Sequence, residues 1–303
     1  MMKLAPIALF TYGRLEHTRR TVKALLENMQ AEGSDLFIFS DAAKSQDSVN
    51  AVRKVREYIK TIIGFKSITI IERNRNFGLA NSIIEGVTQL CNQYGRVVVL
   101  EDDMVTSPYF LNYMNEALNR YEMDERVISI HGYVYPVTQS LPEVFFLQGA
   151  DCWGWATWRR GWAHFNPDGK ALLHELRHRK VLRAFDFDGS YPYSKMLEGQ
   201  IKGTNDSWAV RWYASAYLAN KLTLYPGRSL VHNIGNDNSG THCGDSNVHD
   251  VELSVTPLDL SQVSVAPSAE GRAAFVTFFR RTQVGLADRI LRRAKQVLSR
   301  FVA

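Results

Sequence analysis

The chain has no apolar run near the roughly 18 residues that a membrane-crossing helix needs. Cysteine is scarce: Cys91, Cys152 and Cys243 lie far apart and without CxxC spacing. So sparse and odd a set argues against a disulfide framework and for a reducing compartment. No small-residue cleavage pattern follows the first apolar stretch, so MMKLAPIALFTYGR reads as the approach to a first strand and not as a signal peptide. There is no internal repeat and no low-complexity tract. The stretch FTYGRLEHTRR holds one glycine, which disfavours a glycine-rich phosphate loop after the first strand. Acid is scarce at the C-terminal end. From Arg272 onward eight Lys/Arg face only Asp288, a net +7; the whole chain is +5, which leaves −2 for the rest. The basic character therefore belongs to the tail. What remains is an ordinary globular composition, 45% hydrophobic and 22% charged over 303 residues, enough for one large domain or two modest ones.

Strand-like and helix-like stretches alternate through the first half. IALFTY (7–12), DLFIFSD (35–41), SITIIERN (67–74) and RVVVLEDD (96–103) read as strands. Residues 15–29, 48–63 and 80–94 place apolar side chains at helical spacing. The flat apolar run Val97–Leu100 suits a strand buried on both faces. This alternation predicts an α/β fold with a mostly parallel sheet and right-handed crossovers. Beyond residue 126 the pattern changes: VISIHGYVYP and EVFFLQG look like strands, and DCWGWATWRRGW (151–162) holds four of the six tryptophans. Residues 170–185 and 205–220 read as helical, and 244–271 as loop-rich. We divide the chain into 1–126, 127–245 and 246–303.

Ligands of such sheets bind beyond the carboxyl ends of the strands. Tyr12–Arg14, Ser40–Asp41, Arg73–Asn76 and Glu101–Asp103 all fall there. The triplet Glu101–Asp102–Asp103 is the sharpest feature. Acids at a strand end are often solvated or cap the next helix. Here Ser107–Pro108 already supplies a helix start. Neighbouring like charges repel, and a hard cation relieves that repulsion through oxygen ligands. On a straight strand Glu101 and Asp103 would share one side and Asp102 the other.

These segments, taken in order, carry a resemblance. PIALFTYGRLEHTRR, FIFSD, VVVLEDDMVTSPYFLNYM, LQGADCWGWATWRRGW and NDSW resemble a nucleotide-sugar glycosyltransferase of GT-A fold over about residues 4–245. The pattern is similar to bacterial family 2-like transferases and, in segment order, to N-acetylglucosaminyltransferase I. The resemblance implies a Rossmann-like GT-A sheet flanked by helices. It implies that Thr11, Arg14 and Asn76 contact the nucleotide sugar and that Asp41 reads uracil. Glu101 takes the first acidic position, Asp102 holds ribose or sugar, and Asp103 ligates Mn2+ or Mg2+. Asp206 falls on the catalytic base, and the GADCWGW segment on the sugar and acceptor pocket. An inverting hexosyl- or N-acetylhexosaminyltransferase is implied, with a saccharide or lipid-linked acceptor, in surface-polysaccharide synthesis on the cytoplasmic face of a bacterial membrane.

Each candidate also has a plainer reading. Asp206 could cap the helix that follows it. Trp153 and Trp155 could touch an acceptor or sit in the core; Trp158 and Trp162 read as packing. His242 could be a metal or phosphate ligand or a solvated loop residue, and His131 and His232 are weaker cases. Arg73, Arg75 and Asn76 could hold the diphosphate or form a solvated turn. Asp186 and Asp188 read as a turn. The tail 283–303 sets an apolar face against Arg289, Arg292, Arg293, Lys295 and Arg300, the pattern of a membrane-surface helix or of one packed on protein. Its continuous apolar face and the slightly acidic body argue against nucleic acid as a partner. Two rival functions stay in view: a sugar-nucleotide nucleotidyltransferase and a non-catalytic carbohydrate-binding protein.

Overall fold

A computed structural model describes residues 3–237 and 247–282. The strands are β1 (Ile7–Thr11), β2 (Asp35–Ser40), β3 (Ser67–Glu72), β4 (Arg96–Glu101), β5 (Met104–Thr106), β6 (Val127–His131), β7 (Val144–Gln148), β8 (Trp155–Trp158), β9 (Leu222–Pro226) and β10 (Val231–Asn233). The helices are α1 (Leu15–Leu26), α2 (Val49–Ile59), α3 (Leu79–Tyr94), α4 (Phe110–Arg120), α5 (Arg159–Trp162), α6 (Gly169–His178), α7 (Leu182–Phe185), α8 (Tyr193–Ile201) and α9 (Trp208–Leu218). A further helical stretch covers 269–282.

The fold is α/β. One eight-stranded sheet runs in the order β3-β2-β1-β4-β8-β6-β9-β7, with helices on both faces. Its first four strands are mutually parallel. The second half is mixed: β8 lies antiparallel to both β4 and β6, β6 and β9 are parallel, and β7 runs antiparallel to β9. The short β8 was not legible as a strand, because its WATW run reads equally as buried aromatic packing. A separate two-stranded ribbon pairs β5 with β10.

Period-two alternation sends successive side chains to opposite faces. Leu36 and Ile38 join Ile7, Leu9, Val98 and Leu100 against Val22 and Leu25 of α1, Val55 and Ile59 of α2 and Met114 of α4. Phe37 and Phe39 join Ala8, Phe10, Val97 and Val99 against Ile83, Val87 and Leu90 of α3. Both faces are therefore apolar, as expected for parallel strands under helices. A third cluster gathers Phe185, Tyr213 and Tyr225 with Phe275, Phe278 and Phe279 of the 269–282 helix.

The parallel registers decide where the site can be. Thr11 pairs with Ser40, Ser40 with Glu72, and Phe10 with Glu101. The four carboxyl ends thus lie flush along one rim. The chain winds from β1 out to β3 and then crosses to β4 on the other side of β1. The gap between β1 and β4 is the topological switch point, where the loops diverge and leave a crevice.

Candidate functional site

Two loops meet at that switch point. β4 ends at Glu101, and the chain turns at once through Asp102 and Asp103 into β5. The turn changes the expectation for a straight strand, because it aims Asp102 and Asp103 at the same partner. That partner is Arg14, just after β1, whose Nη2 donates to Asp102 Oδ1 and, at 2.7 Å, to Asp103 Oδ2. The turn is fixed through its backbone. Thr21 Oγ1 donates to the Asp102 carbonyl at 2.9 Å, and the Ile234 N–H to the Asp103 carbonyl at 2.9 Å. The second bond extends the β5–β10 ribbon, so β10 clamps the acidic turn.

Both carboxylates are buried, 4% and 5% exposed. Burial by itself would lower the Arg14 pKa, but the adjacent charges of Asp102 and Asp103 outweigh it and hold the guanidinium firmly protonated. Glu101 sits in the same concentration of negative charge. Burial, and then the charges of Asp103 and Asp102, push its carboxyl up to about 8. Among the described residues, Arg14 leaves Asp102 Oδ2 and Asp103 Oδ1 buried without hydrogen-bond partners. Buried polar oxygens without partners are costly and therefore uncommon. These two suit a hard cation that takes one or two protein carboxylates and fills its shell with water and phosphate. Among the described residues no group of three or more His, Cys, Asp and Glu forms a protein-only metal cage.

Further along the rim, Asp41 follows β2. Its N–H donates to the Thr11 carbonyl at 3.1 Å. Its carboxylate accepts from Asn76 Nδ2 at 3.0 Å, from the Phe77 and Gly78 N–H groups at 2.8 and 2.9 Å, and from the Ala42 N–H at 2.9 Å. Asp41 thus ties the loop after β3 to the end of β2. Asn76 strengthens the tie with a 2.7 Å bond to the Ala42 carbonyl. Thr11 is buried, and its hydroxyl has no hydrogen-bond partner among the described residues. Arg73 pairs with Glu85 at 2.7 Å and lies over the Phe77 ring, and Arg75 lies over the same ring.

Asp206 reaches this loop from the other half of the sheet. The residue that caps α9 is Ser207, whose hydroxyl accepts from the Val210 N–H at 3.2 Å. Asp206 stands exposed just before the cap, so capping does not explain it. A Cβ on Gly78 would lie 3.9 Å from Asp206 Oδ2. Gly78 has φ +74°, which only glycine adopts readily, and the same residue donates to Asp41. Asp206 and Asp41 therefore approach the same three-residue loop.

The tryptophans separate. Trp155 has no exposed surface and packs against Trp208, Trp162 and Trp212 at 5.5, 5.8 and 6.0 Å. It packs as core here, and its indole N–H has no hydrogen-bond partner among the described residues. Trp158 and Trp162 are buried too, their indole N–H groups bound to the Leu118 carbonyl and Thr88 Oγ1. Trp153 stays half-buried, edge-on to Tyr133 at 4.7 Å and beside His249. Its backbone N–H donates to Nε2 of His131 at 3.1 Å. Burial lowers the His131 pKa despite Asp151, which suits a neutral ring accepting that bond.

Other candidates have structural partners. His232 faces Asp250 at 3.3 Å. Asp186 accepts from Ser194, and Asp188 pairs with Arg272 at 2.8 Å. His242 and the basic tail beyond 282 lie outside the described residues.

Three residues escaped the sequence reading. Arg56 of α2 donates to the carbonyls of Ser40, Asp41 and Arg73, joining the ends of β2 and β3. Nothing in the sequence marks it, because its acceptors meet only through strand pairing. Asp151 is half-buried, 3.9 Å from His131 Nε2, and its charge reinforces burial in pushing the Cys152 thiol well up. It lay inside the quoted GADCWGW segment and was overshadowed by the tryptophans. Gly235 packs directly on the Asp103 carboxylate.

No family model and no curated protein matches the chain. Among solved structures it is similar to a mannosyltransferase from Pyrobaculum calidifontis in complex with GDP-Man and Mn2+, at 15% identity and TM-score 0.31, over 43% of this chain and 35% of that one. It is similar to S. aureus TarS at 10% identity and TM-score 0.31, over 50% of this chain and 25% of that one. A UDP-glucose pyrophosphorylase complexed with UDP-glucose overlaps at 15% identity and TM-score 0.30, over 57% of this chain and 80% of that one. The chain thus spans about a third of the mannosyltransferase and a quarter of TarS. At TM-scores near 0.3 these overlaps add nothing to what the chain's own geometry says.

Proposed function

We propose that the chain is an inverting, metal-dependent glycosyltransferase of GT-A type, similar to the bacterial family 2-like enzymes, that takes its sugar from a nucleotide sugar. The supporting observation is the meeting of Arg14 with Asp102 and Asp103 at the β1/β4 switch point, with one buried oxygen of each carboxylate left over. A binding module for neutral sugar would have no use for a half-buried cation and two buried carboxylates at a strand rim.

In this reading Asp103 would hold Mn2+ or Mg2+, joined by Asp102, which the resemblance alone had set against ribose or sugar. A bound cation supplies stabilisation of the diphosphate charge that grows as the nucleotide leaves. Arg14 binds the same diphosphate through its planar fork. Thr11 offers its buried hydroxyl to the nucleotide, and Glu101 lines the ribose or sugar. Asp41 and Asn76 form the surface against which the base lies. By the resemblance, a uracil N3–H would replace one of the loop's hydrogen bonds to Asp41, and it is on the resemblance that UDP-sugar is favoured over GDP-sugar. Asp206 accepts the proton of the acceptor hydroxyl as it attacks the anomeric carbon from the opposite side, a single displacement that inverts configuration. Trp153 offers its exposed edge to a saccharide or lipid-linked acceptor. The basic tail, from its sequence, would hold the chain on an anionic membrane surface. Among the described residues no helix is long and apolar enough to cross a membrane.

The test is calorimetric titration of UDP into the full chain, with and without Mn2+, for the wild type and Asp103→Ala. Metal-dependent binding that disappears in the variant establishes the donor site. Absence of binding by UDP, GDP and CMP alike would end the transferase reading. Turnover of UTP with a sugar 1-phosphate, in place of sugar transfer, would identify a nucleotidyltransferase.

A further inference from the structure

We propose that Arg14 is an internal counter-cation that competes with the divalent cation for Asp102 and Asp103, so that the cation binds well only once a diphosphate draws the guanidinium away. The proposal rests on the donor-site reading above and adds an order of assembly to it.

Asp102 and Asp103 are shielded from water, and a buried charge without a partner is strongly unfavourable. Among the described residues the ion pairs of both carboxylates are made by one atom, Arg14 Nη2. The Arg14 backbone cannot leave. Its carbonyl accepts from the Thr18 N–H at 3.0 Å and from Thr18 Oγ1 at 2.8 Å, at the start of α1. The side chain is 21% exposed, so one edge faces the rim. Arg14 is therefore a fixed stem with a head that can turn towards a ligand.

A dication on the spare oxygens would share the same two carboxylates with the guanidinium. Two negative charges would then face three positive ones in a buried space, where repulsion is weakly screened. Gly235 closes the Asp103 Oδ2 side, so the carboxylate cannot swing away: a Cβ there would stand 2.2 Å from Oδ2 and 3.0 Å from Arg14 Nη1. A diphosphate resolves the conflict. It brings negative charge and gives Arg14 a bidentate partner at the rim. Cation and diphosphate then favour each other by the same factor, as linkage requires.

The experiment uses the full chain and Mn2+ alone, with free Mn2+ read by electron paramagnetic resonance and thermal unfolding read alongside. Arg14→Gln is expected to tighten Mn2+ binding about tenfold without nucleotide, a typical size for coupled sites. Mn2+ should then raise the melting temperature of the variant more than that of the wild type. Adding Asp103→Asn to Arg14→Gln should abolish the gain. Mn2+ binding that is unchanged or weaker in Arg14→Gln overturns the proposal, and so does a gain that survives Asp103→Asn. Should the glutamine variant lack a cooperative melt, Arg14→Met takes its place. It removes the positive charge and keeps an apolar stem, so tighter Mn2+ binding supports competition and unchanged binding overturns it. The nucleotide reading fails separately. Tighter Mn2+ binding in Arg14→Gln together with no UDP, GDP or CMP binding leaves the competition standing and removes the transferase. UDP binding together with Mn2+ affinity indifferent to Arg14 does the reverse.

Discussion

Gly235 and Asp103 touch so closely that any side chain at position 235 must displace the carboxylate: a Cβ would stand 2.2 Å from Oδ2. They are far apart in sequence and meet because β10 pairs with β5, placing Asn233 opposite Met104. Gly235→Ala is expected to push the Asp103 carboxylate off Arg14. Overpacking of this kind costs about 1–3 kcal/mol of stability. Calorimetry should show Mn2+-dependent UDP binding weakened about tenfold or more, the factor that a 1.4 kcal/mol loss gives. Full affinity in a folded Gly235→Ala would mean that the carboxylate has freedom the packing denies it.

Asp206 and Ser207 are adjacent, yet the geometry gives them separate tasks. Ser207 caps α9, so Ser207→Ala should cost about 1 kcal/mol of stability and leave turnover nearly intact. Asp206→Asn should barely change the melt and lower kcat by about 10²–10⁴-fold, the usual worth of a general base. Thermal unfolding and donor turnover on both variants separate the two effects. Wild-type turnover in Asp206→Asn would move the base elsewhere, with Asp151 next to be tried.

Trp153 and Trp155 lie two residues apart and should behave oppositely. Trp155→Ala empties the centre of a four-tryptophan cluster and is expected to lose about 3–5 kcal/mol. Trp153→Ala removes a half-buried ring and should lose much less, while raising the KM for acceptor more than that for donor. Chemical denaturation gives the first quantity, and acceptor titration at saturating donor the second. An unchanged acceptor KM would remove Trp153 from the acceptor site.

Much of the rim was legible because parallel strands announce themselves. Leu36–Ile38 and Phe37–Phe39 alternate between two apolar faces, and each run ends in polar residues, so Asp41, Asn76 and Glu101–Asp103 could be placed at one edge before any coordinates. The bend at Asp102 was not legible. Nor was the saturation of the Asp41 carboxylate by the 76–78 loop, since its donors are mostly backbone N–H groups that carry no residue identity. The packing of Trp155 was not legible for a related reason. Aromatic area is the same in sequence whether it faces a sugar or three other indoles.

By itself the sequence determined the alternation of elements, the two-faced burial of β4 and the position of the acids at a strand end. These follow from local periodicity and from the cost of burying charge. Only the tertiary structure decided that Arg14 meets Asp102 and Asp103, that Gly235 closes on Asp103, and that Asp206 comes to the loop held by Asp41. Those contacts join residues tens to more than a hundred positions apart. They depend on strand order and register, which side-chain patterns along the chain leave open.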